Sequence, residues 1–256
     1  MTLIVGILCS DGVVMAADGA ATYGAMGQMT MRRPMKKLTI LHDSVILGLL
    51  GTTGMAQRFA GEISRAWEGK KYQQKQPDQV MREVQAAVRP IILEEMQMAA
   101  AAIPVVGHAV AAMSAVSGTL LAMNVLKKPQ LFRFDQQASP EAATSDLPLE
   151  AVGSGEPIAD PFLAFIRRLF WPANLPTTQQ GVFAALWAVR HAIQTSPGGV
   201  AEPIQVAVLK DGKAKEVPRE ELQEHDSAID AAERRCANVL APAQQQIEPP
   251  PQAPAP

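Results

Sequence analysis

Cysteine is nearly missing from this 256-residue chain, with Cys9 and Cys236 as its only two. That is too few for a disulfide framework, and a reducing, cytoplasmic setting is the expectation. Charge imbalance is missing as well. The 23 Lys and Arg against 25 Asp and Glu leave a net charge of -2, whereas phosphate binding needs clustered cations, so nucleic acid is not expected as a partner. Aromatic residues are only 5% of the chain, while Met (12) and Ala are abundant, which predicts an aliphatic core. There is no strongly apolar long run. Residues 96–126 carry no charge and are long enough to span a bilayer. They are mostly Ala, Met and Ser, however, broken by Pro104, Gly107, His108 and Gly118, and they read as a helix end, a turn and a buried strand rather than a membrane span. The first apolar run lacks a basic lead-in and stops at Ser10-Asp11-Gly12, unlike a secretory signal. Neither phosphate-loop pattern of glycines occurs. His42, His108, His191 and His225 have no metal-ligand spacing and no cysteine close by. No metal or cofactor is expected.

What is present reads as strands, two helices, strands, two helices and a strand. Leu3 to Cys9 is a short apolar run, Asp11-Gly12 a hairpin signal, and Val13 to Ala17 its partner strand. Residues 20–35 read as irregular. Lys37 to Leu41 and Val45 to Leu50 form a second hairpin around His42-Asp43-Ser44. Thr52-Thr53 can cap a helix running to about Gly69, with Met55, Phe59, Ile63 and Trp67 four apart. Pro77-Asp78 opens a longer helix, which Pro90 is expected to kink or restart. Strands follow at 119–125, 131–134 and 149–152, with a polar, turn-rich stretch at 136–146. Helices are expected at 158–170 and 182–193, a strand at 203–209 and an amphipathic helix at 219–240. The Pro- and Gln-rich residues 241–256 are expected to be disordered. This order suits two antiparallel sheets stacked face to face and covered by helices on both outer faces, an α+β fold of four αββα layers. The divisions are residues 1–217 as the main domain, 218–240 as a helical extension and 241–256 as a tail.

Thr2 is the residue with chemical potential. Threonine is small enough for aminopeptidase to remove Met1 and leave Thr2 as the new terminus. An N-terminal threonine then carries nucleophile and base on one residue. Its hydroxyl attacks a carbonyl, and its α-amino group, of reference pKa about 8, accepts the proton directly or through water.

The residues around it strengthen the signal. They are Thr2-Leu3-Ile4-Val5-Gly6, Asp11-Gly12, Asp18-Gly19-Ala20-Ala21-Thr22-Tyr23-Gly24, Lys36-Lys37-Leu38, Gly51-Thr52-Thr53-Gly54 and Gly153-Ser154-Gly155. Together they resemble the proteasome β-subunit family, particularly its bacterial branch of HslV and related homologues. The run at 18–24 is especially HslV-like. The resemblance covers about residues 2–217, and residues 1–60 carry most of it.

The resemblance implies a four-layer N-terminal-nucleophile hydrolase fold and a threonine peptidase. Thr2 is the implied nucleophile. Lys37 lies beside it, its charge lowering the pKa of hydroxyl and amine. Asp18 holds that lysine. The Gly51 N–H stabilises the oxyanion, a contribution of about 3 kcal/mol in typical hydrolases. Ser154 hydrogen-bonds the terminal amine. Lys37 rather than Lys36 takes this role because the family lysine directly precedes the apolar residue, here Leu38, and strand alternation turns only one of the two inward. Ala21, Leu49 and Thr53 are the implied pocket residues, fitting a small to apolar side chain before the cut bond. Stacked homo-oligomeric rings of six or seven subunits, unfolded polypeptide as substrate and an ATP-driven unfoldase as a candidate partner follow from the same resemblance. With no propeptide, maturation is expected to need only loss of Met1.

One segment departs from the family. Where members often carry a carboxylate and a serine before Gly-Gly, this chain has Gln194-Thr195-Ser196-Pro197-Gly198-Gly199. Gln194 stands at the carboxylate position and Pro197 at the serine. Three readings therefore stand: a self-compartmentalising threonine peptidase, a catalytically weak or inactive ring acting as scaffold or binding chamber, and a single-subunit amidase acting on a small amide.

Overall fold

Pairing begins at the chain's first residues. In the computed structural model, which describes residues 2–23, 31–108, 118–196 and 200–240, β1 (Leu3–Cys9) turns at Ser10 and Asp11 into β2 (Gly12–Ala17). The turn carboxylate is put to structural use. Asp11 accepts from the Thr178 N–H at 2.8 Å and from Lys210 Nζ at 2.7 Å. β1 is flanked on its other side by β10 (Leu149–Gly153), and β2 by β11 (Gln205–Lys210), which pairs in turn with β12 (Lys213–Glu216). All neighbours in this five-stranded sheet are antiparallel. A second five-stranded antiparallel sheet runs β5 (Leu38–Leu41), β6 (Val45–Leu50), β7 (Gly118–Val125), β8 (Lys128–Phe134), β9 (Pro140–Ala142).

Alternation along β1 shows how the layers are filled. Leu3, Val5, Ile7 and Cys9 point to one face and join a cluster with Leu163, Ile166, Val182, Leu186, Val189 and Ile229. These come from α3 (Glu156–Phe170), α4 (Thr178–Thr195) and α5 (Arg219–Leu240). Ile4 points to the other face and meets Met15, Leu38, Ile46, Leu120 and Leu131 between the two sheets. The outer face of the second sheet packs Leu47, Leu121, Phe132 and Phe134 on Met55, Phe59, Val84 and Ile92 of α1 (Thr53–Glu68) and α2 (Pro77–Val106). The result is four layers, helices–sheet–sheet–helices. Both faces of each sheet are covered, so the central strands are buried at nearly every position.

The α1 cap is Thr52, whose side chain accepts from the Met55 N–H at 3.2 Å. Along α1, Met55, Phe59, Ile63 and Ala66 are buried, while Trp67 is only partly so. α2 runs as one element through Pro90 and Pro104. Among the described residues no helix is long and apolar enough to cross a membrane. Residues 96–126 divide into the end of α2 and β7, as their composition predicts, with 109–117 outside the described residues.

Four short strands differ from the sequence expectation. Residues 20–35, read as irregular, contain a two-stranded ribbon, β3 (Ala20–Tyr23) with β4 (Met31–Pro34). The polar stretch at 136–146 contains β9, and β12 follows the Asp211-Gly212 turn. Gly24, residues 197–199 and the tail at 241–256 lie outside the described residues.

Candidate functional site

Thr2 sits directly before β1, one strand in from the edge of the first sheet, with β10 on one side and the β2–β3 junction on the other. Pairing of Leu3 with Gly153 brings the turn after β10 onto Thr2. The Thr2 nitrogen donates to Ser154 Oγ at 3.2 Å, and the Thr2 carbonyl accepts from Ser154 Oγ and the Gly155 N–H, each at 3.4 Å. Gly153 makes this approach feasible. Its φ is +109°, and a Cβ there would lie 2.1 Å from the Thr2 carbonyl oxygen. On the other side, the Leu3 N–H donates to Asp18 Oδ1 at 2.8 Å, and the Asp18 N–H donates to the Leu3 carbonyl at 3.1 Å.

Asp18 is fully buried. A buried carboxylate needs compensation on both oxygens. Oδ1 takes the Leu3 N–H and, at 2.6 Å, Lys37 Nζ, while Oδ2 takes the Ala20 and Ala201 N–H groups at 3.3 Å. Lys37 is 8% exposed. Burial pulls its ammonium below the ordinary lysine range, and the Asp18 carboxylate pulls the other way. One carboxylate oxygen thus joins Lys37 to the peptide that follows Thr2. Lys36 points elsewhere and pairs with Glu216 on β12 at 2.6 Å, both side chains being largely exposed.

Thr2, Asp18, Lys37 and Ser154 therefore form one hydrogen-bonded group. Gly51 stands outside it, at the end of β6 in the turn leading to α1, with a φ of 147°. Of the implied pocket residues, Ala21 is half-buried in β3 opposite Arg33. Leu49 is buried with Met55 and Phe59 in the sheet–helix core. Thr53 is exposed at the start of α1, its Oγ1 3.9 Å from Met35 Sδ. A cavity of about 320 Å³ opens beside Leu50 and Gly153, the neighbours of Gly51 and Ser154.

Two further sets of residues support this group without being evident in the sequence. Gln205, at the start of β11, bonds the backbone on either side of Lys36: its Oε1 accepts the Lys37 N–H at 2.8 Å, and its Nε2 donates to the Met35 carbonyl at 2.7 Å. The available signal was a lone polar side chain in the apolar run Pro203-Ile204-Gln205-Val206-Ala207-Val208-Leu209. Arg133 of β8 brackets the Gly153-Ser154-Gly155 turn by reaching Glu150 before it at 3.5 Å and Glu156 after it at 2.8 Å. The departing segment at 194–199 is described as far as Ser196. Gln194 and Thr195 are exposed at the end of α4, and Thr195 Oγ1 donates to the His191 carbonyl at 2.7 Å. Among the described residues no cluster of His, Cys, Asp or Glu could hold a metal ion.

The model of the proteasome subunit family matches residues 2–198. The chain belongs to the proteasome subunit family. Among curated relatives, the proteasome subunit beta of Methanococcus maripaludis, strains C5 and C7, is 40% identical over 63 residues, which is 25% of this chain and 27% of the relative. The match thus spans about a quarter of those relatives' length. Among solved structures, Anbu (ancestral beta-subunit) from Yersinia bercovieri superposes with a TM-score of 0.68 at 13% identity, covering 98% of this chain and all of that one. An Anbu (Gly-1) mutant from Hyphomicrobium sp. strain MC1 gives a TM-score of 0.64 at 17% identity, covering 93% and 97%. At these identities the two structures establish the four-layer fold.

Proposed function

We propose that this chain is the subunit of a proteasome-like ring assembly, a chamber that receives unfolded polypeptide and whose Thr2 centre hydrolyses peptide bonds slowly. The observation that carries the chemistry is the hydrogen-bonded group of Thr2, Ser154, Asp18 and Lys37. After Met1 is removed, the Thr2 nitrogen becomes a primary amine. The Thr2 Oγ proton passes to that amine, directly or through water, as Oγ bonds to the substrate carbonyl carbon. The Lys37 charge favours the deprotonated forms of both groups, and the Gly51 N–H takes the oxyanion. Collapse expels the amine product with the proton and leaves an ester on Thr2, which water hydrolyses. Ala21 and Thr53 border the pocket before the cut bond, with the buried Leu49 as its floor.

Slow turnover is the reading because Gln194 stands where family members often carry a carboxylate near the nucleophile's amine. A neutral amide there leaves Lys37 and Ser154 to set the amine's proton affinity. The second reading is a fully active threonine peptidase fed by an ATP-driven unfoldase, and the intact Asp18–Lys37 pair at 2.6 Å favours it. The branch within the family is likewise a proposal: the run at 18–24 is HslV-like, whereas the two solved structures compared above, which match nearly end to end, are Anbu proteins. A cytoplasmic setting, from the scarcity of cysteine, belongs with it.

The test is the intact mass before and after a peptide epoxyketone, a warhead that needs hydroxyl and free amine on one residue, with Thr2→Ala as control. Expected are loss of Met1, one slow Thr2-dependent adduct, and slow turnover of an unfolded protein that Thr2→Ala abolishes. Fast Thr2-dependent turnover moves the second reading ahead. Loss of Met1 without an adduct leaves a binding chamber only, and a retained Met1 sinks the Thr2 chemistry. Light scattering should give a mass of about twelve or fourteen chains, as closed stacked rings require. A monomer would instead favour an amidase for small amides.

A further inference from the structure

We infer that Gln205 is a positioning residue for Lys37: its carboxamide replaces a strand partner along residues 35–38 and thereby fixes the lysine against Asp18. The inference rests on the proposed role of Lys37 at Thr2.

Residues 35–37 lie between β4 and β5 and belong to no strand. Their backbone polar groups still need partners where the chain is buried. The Met35 N–H finds the Gly19 carbonyl at 2.8 Å. Three further groups, the Met35 carbonyl and the N–H groups of Lys37 and Leu38, are served by one side chain. Gln205 Oε1 accepts from the Lys37 N–H at 2.8 Å and the Leu38 N–H at 3.3 Å, and Gln205 Nε2 donates to the Met35 carbonyl at 2.7 Å. A carboxamide accepts two N–H bonds on its oxygen and donates to a carbonyl from its nitrogen, so its two ends can serve separate points of the same segment.

Its own placement is firm. Gln205 pairs with Ala17 across β11 and β2, so it is registered beside the residue that precedes Asp18. The acceptor of the Lys37 ammonium and the anchor of the Lys37 backbone are therefore set by neighbouring positions of one sheet. Lys36 adds a third hold through Glu216 of β12. A buried ammonium that keeps its charge depends on a short, well-aligned contact with its carboxylate. Loosening the backbone by an ångström would lengthen that contact and weaken the field Lys37 exerts on Thr2.

Gln205→Met, similar in length but lacking the donor and the strong acceptor, tests this. Gln205→Glu is the partial control, because it keeps the acceptor for both N–H groups while its second oxygen, an acceptor only, replaces the donor to Met35 and adds a negative charge. Two readouts are taken on assembled protein: the rate and the affinity of epoxyketone modification of Thr2, and acylation of Lys37 followed by mass spectrometry, which does not involve Thr2. Gln205→Met should slow the maximal modification rate by about tenfold to a hundredfold with little change in inhibitor affinity. It should shift the pH–rate profile to higher pH, since the Thr2 amine loses its cationic neighbour, and expose Lys37 to acylation. Gln205→Glu should recover part of both, because the Lys37 and Leu38 N–H groups keep their acceptor. If Gln205→Met does not fold, Gln205→Ala serves, because the adjoining cavity of about 500 Å³ against α5 admits water. A folded variant with wild-type rate and a protected Lys37 would overturn the inference. Lys37 exposed in the variant, with no Thr2 modification even in the wild type, would instead overturn the Thr2 reading and leave Gln205 as the residue that positions Lys37.

Discussion

At the scale of single residues, the closest approach at the site falls on Gly153. Its positive φ and the 2.1 Å gap between a hypothetical Cβ and the Thr2 carbonyl leave no room for any side chain. Both atoms in conflict belong to backbone, so relief requires moving β10 from Thr2. Gly153→Ala is expected to lower stability by about 1–3 kcal/mol, the usual cost of a forced left-handed residue, and to slow epoxyketone modification as Ser154 is displaced. Thermal melting and the modification rate check the two parts. The cysteines give a second residue-scale prediction. Burial pushes the Cys9 thiol up to about 12, whereas Cys236 is exposed on α5. Iodoacetamide on the native protein at mildly alkaline pH should add one group, at Cys236, and a second only after denaturation. Thr2, Asp18, Lys37 and Ser154 were nameable from the chain because each lies in a short motif at a turn or strand end. Gln205 was not, because its partners are 168 and 170 residues away in sequence and nothing local marks them.

Among elements, the helices that cover the first sheet are the best specified by local sequence. α4 starts on a reciprocal cap: the Gln180 N–H donates to Thr177 Oγ1 at 3.3 Å, and the Thr177 N–H donates to Gln180 Oε1 at 2.9 Å. Asp11 then holds the first turn through both the N–H and the hydroxyl of Thr178. Thr177→Ala should cost about 1 kcal/mol, a fall in Tm of about 2–4 °C, measurable by calorimetry. α5 is fixed to α4 by Arg190, which reaches Asp226 and Asp230 at 2.8 and 2.7 Å, and by the buried Ile229. The elements missing from the sequence reading are short and peripheral. β12 is Lys213-Ala214-Lys215-Glu216 with only Ala214 buried, and β9 has three residues and none. An edge strand covered on so little of its surface has no alternation to display. Their pairing is dictated by the strand beside them. The ribbon of β3 and β4 is equally silent, since Met31-Arg32-Arg33-Pro34 shows neither alternation nor an apolar run. The helix does not restart at Pro90: α2 runs on as one element, with Val80, Val84, Val88, Ile91 and Ile92 buried along it.

For the molecule as a whole, one contact ties the two sheets together beside the Thr2 turn. Arg133 belongs to β8 in the second sheet and Glu150 to β10 in the first. Burial pushes the Glu150 carboxyl up to about 7, with Glu141 and Asp160 adding to the rise and Arg133 opposing it. Burial also raises Asp160. Folded Glu150 thus holds its proton more tightly than the unfolded chain does. Its contribution to stability is complete below about pH 4.5 and is lost as the pH climbs through about 7. Melting temperature should fall between about pH 5 and pH 8, and Glu150→Gln should flatten that fall, leaving a smaller slope from Asp160. The layered order was legible because the central strands appear as short apolar blocks, bounded in the first sheet by Asp11-Gly12, Asp18-Gly19 and Asp211-Gly212. That same layering governs how the sequence can drift. The residues that place Thr2 sit at the ends of strands enclosed on both faces, where nearly every side chain has neighbours to satisfy, whereas each helix keeps an outward side that answers to solvent. Substitutions can therefore accumulate over the outer shell for as long as the inner pair of sheets is conserved in shape. Thr2 is carried at the end of an inner strand, so its place is the last part of the molecule that such divergence would displace.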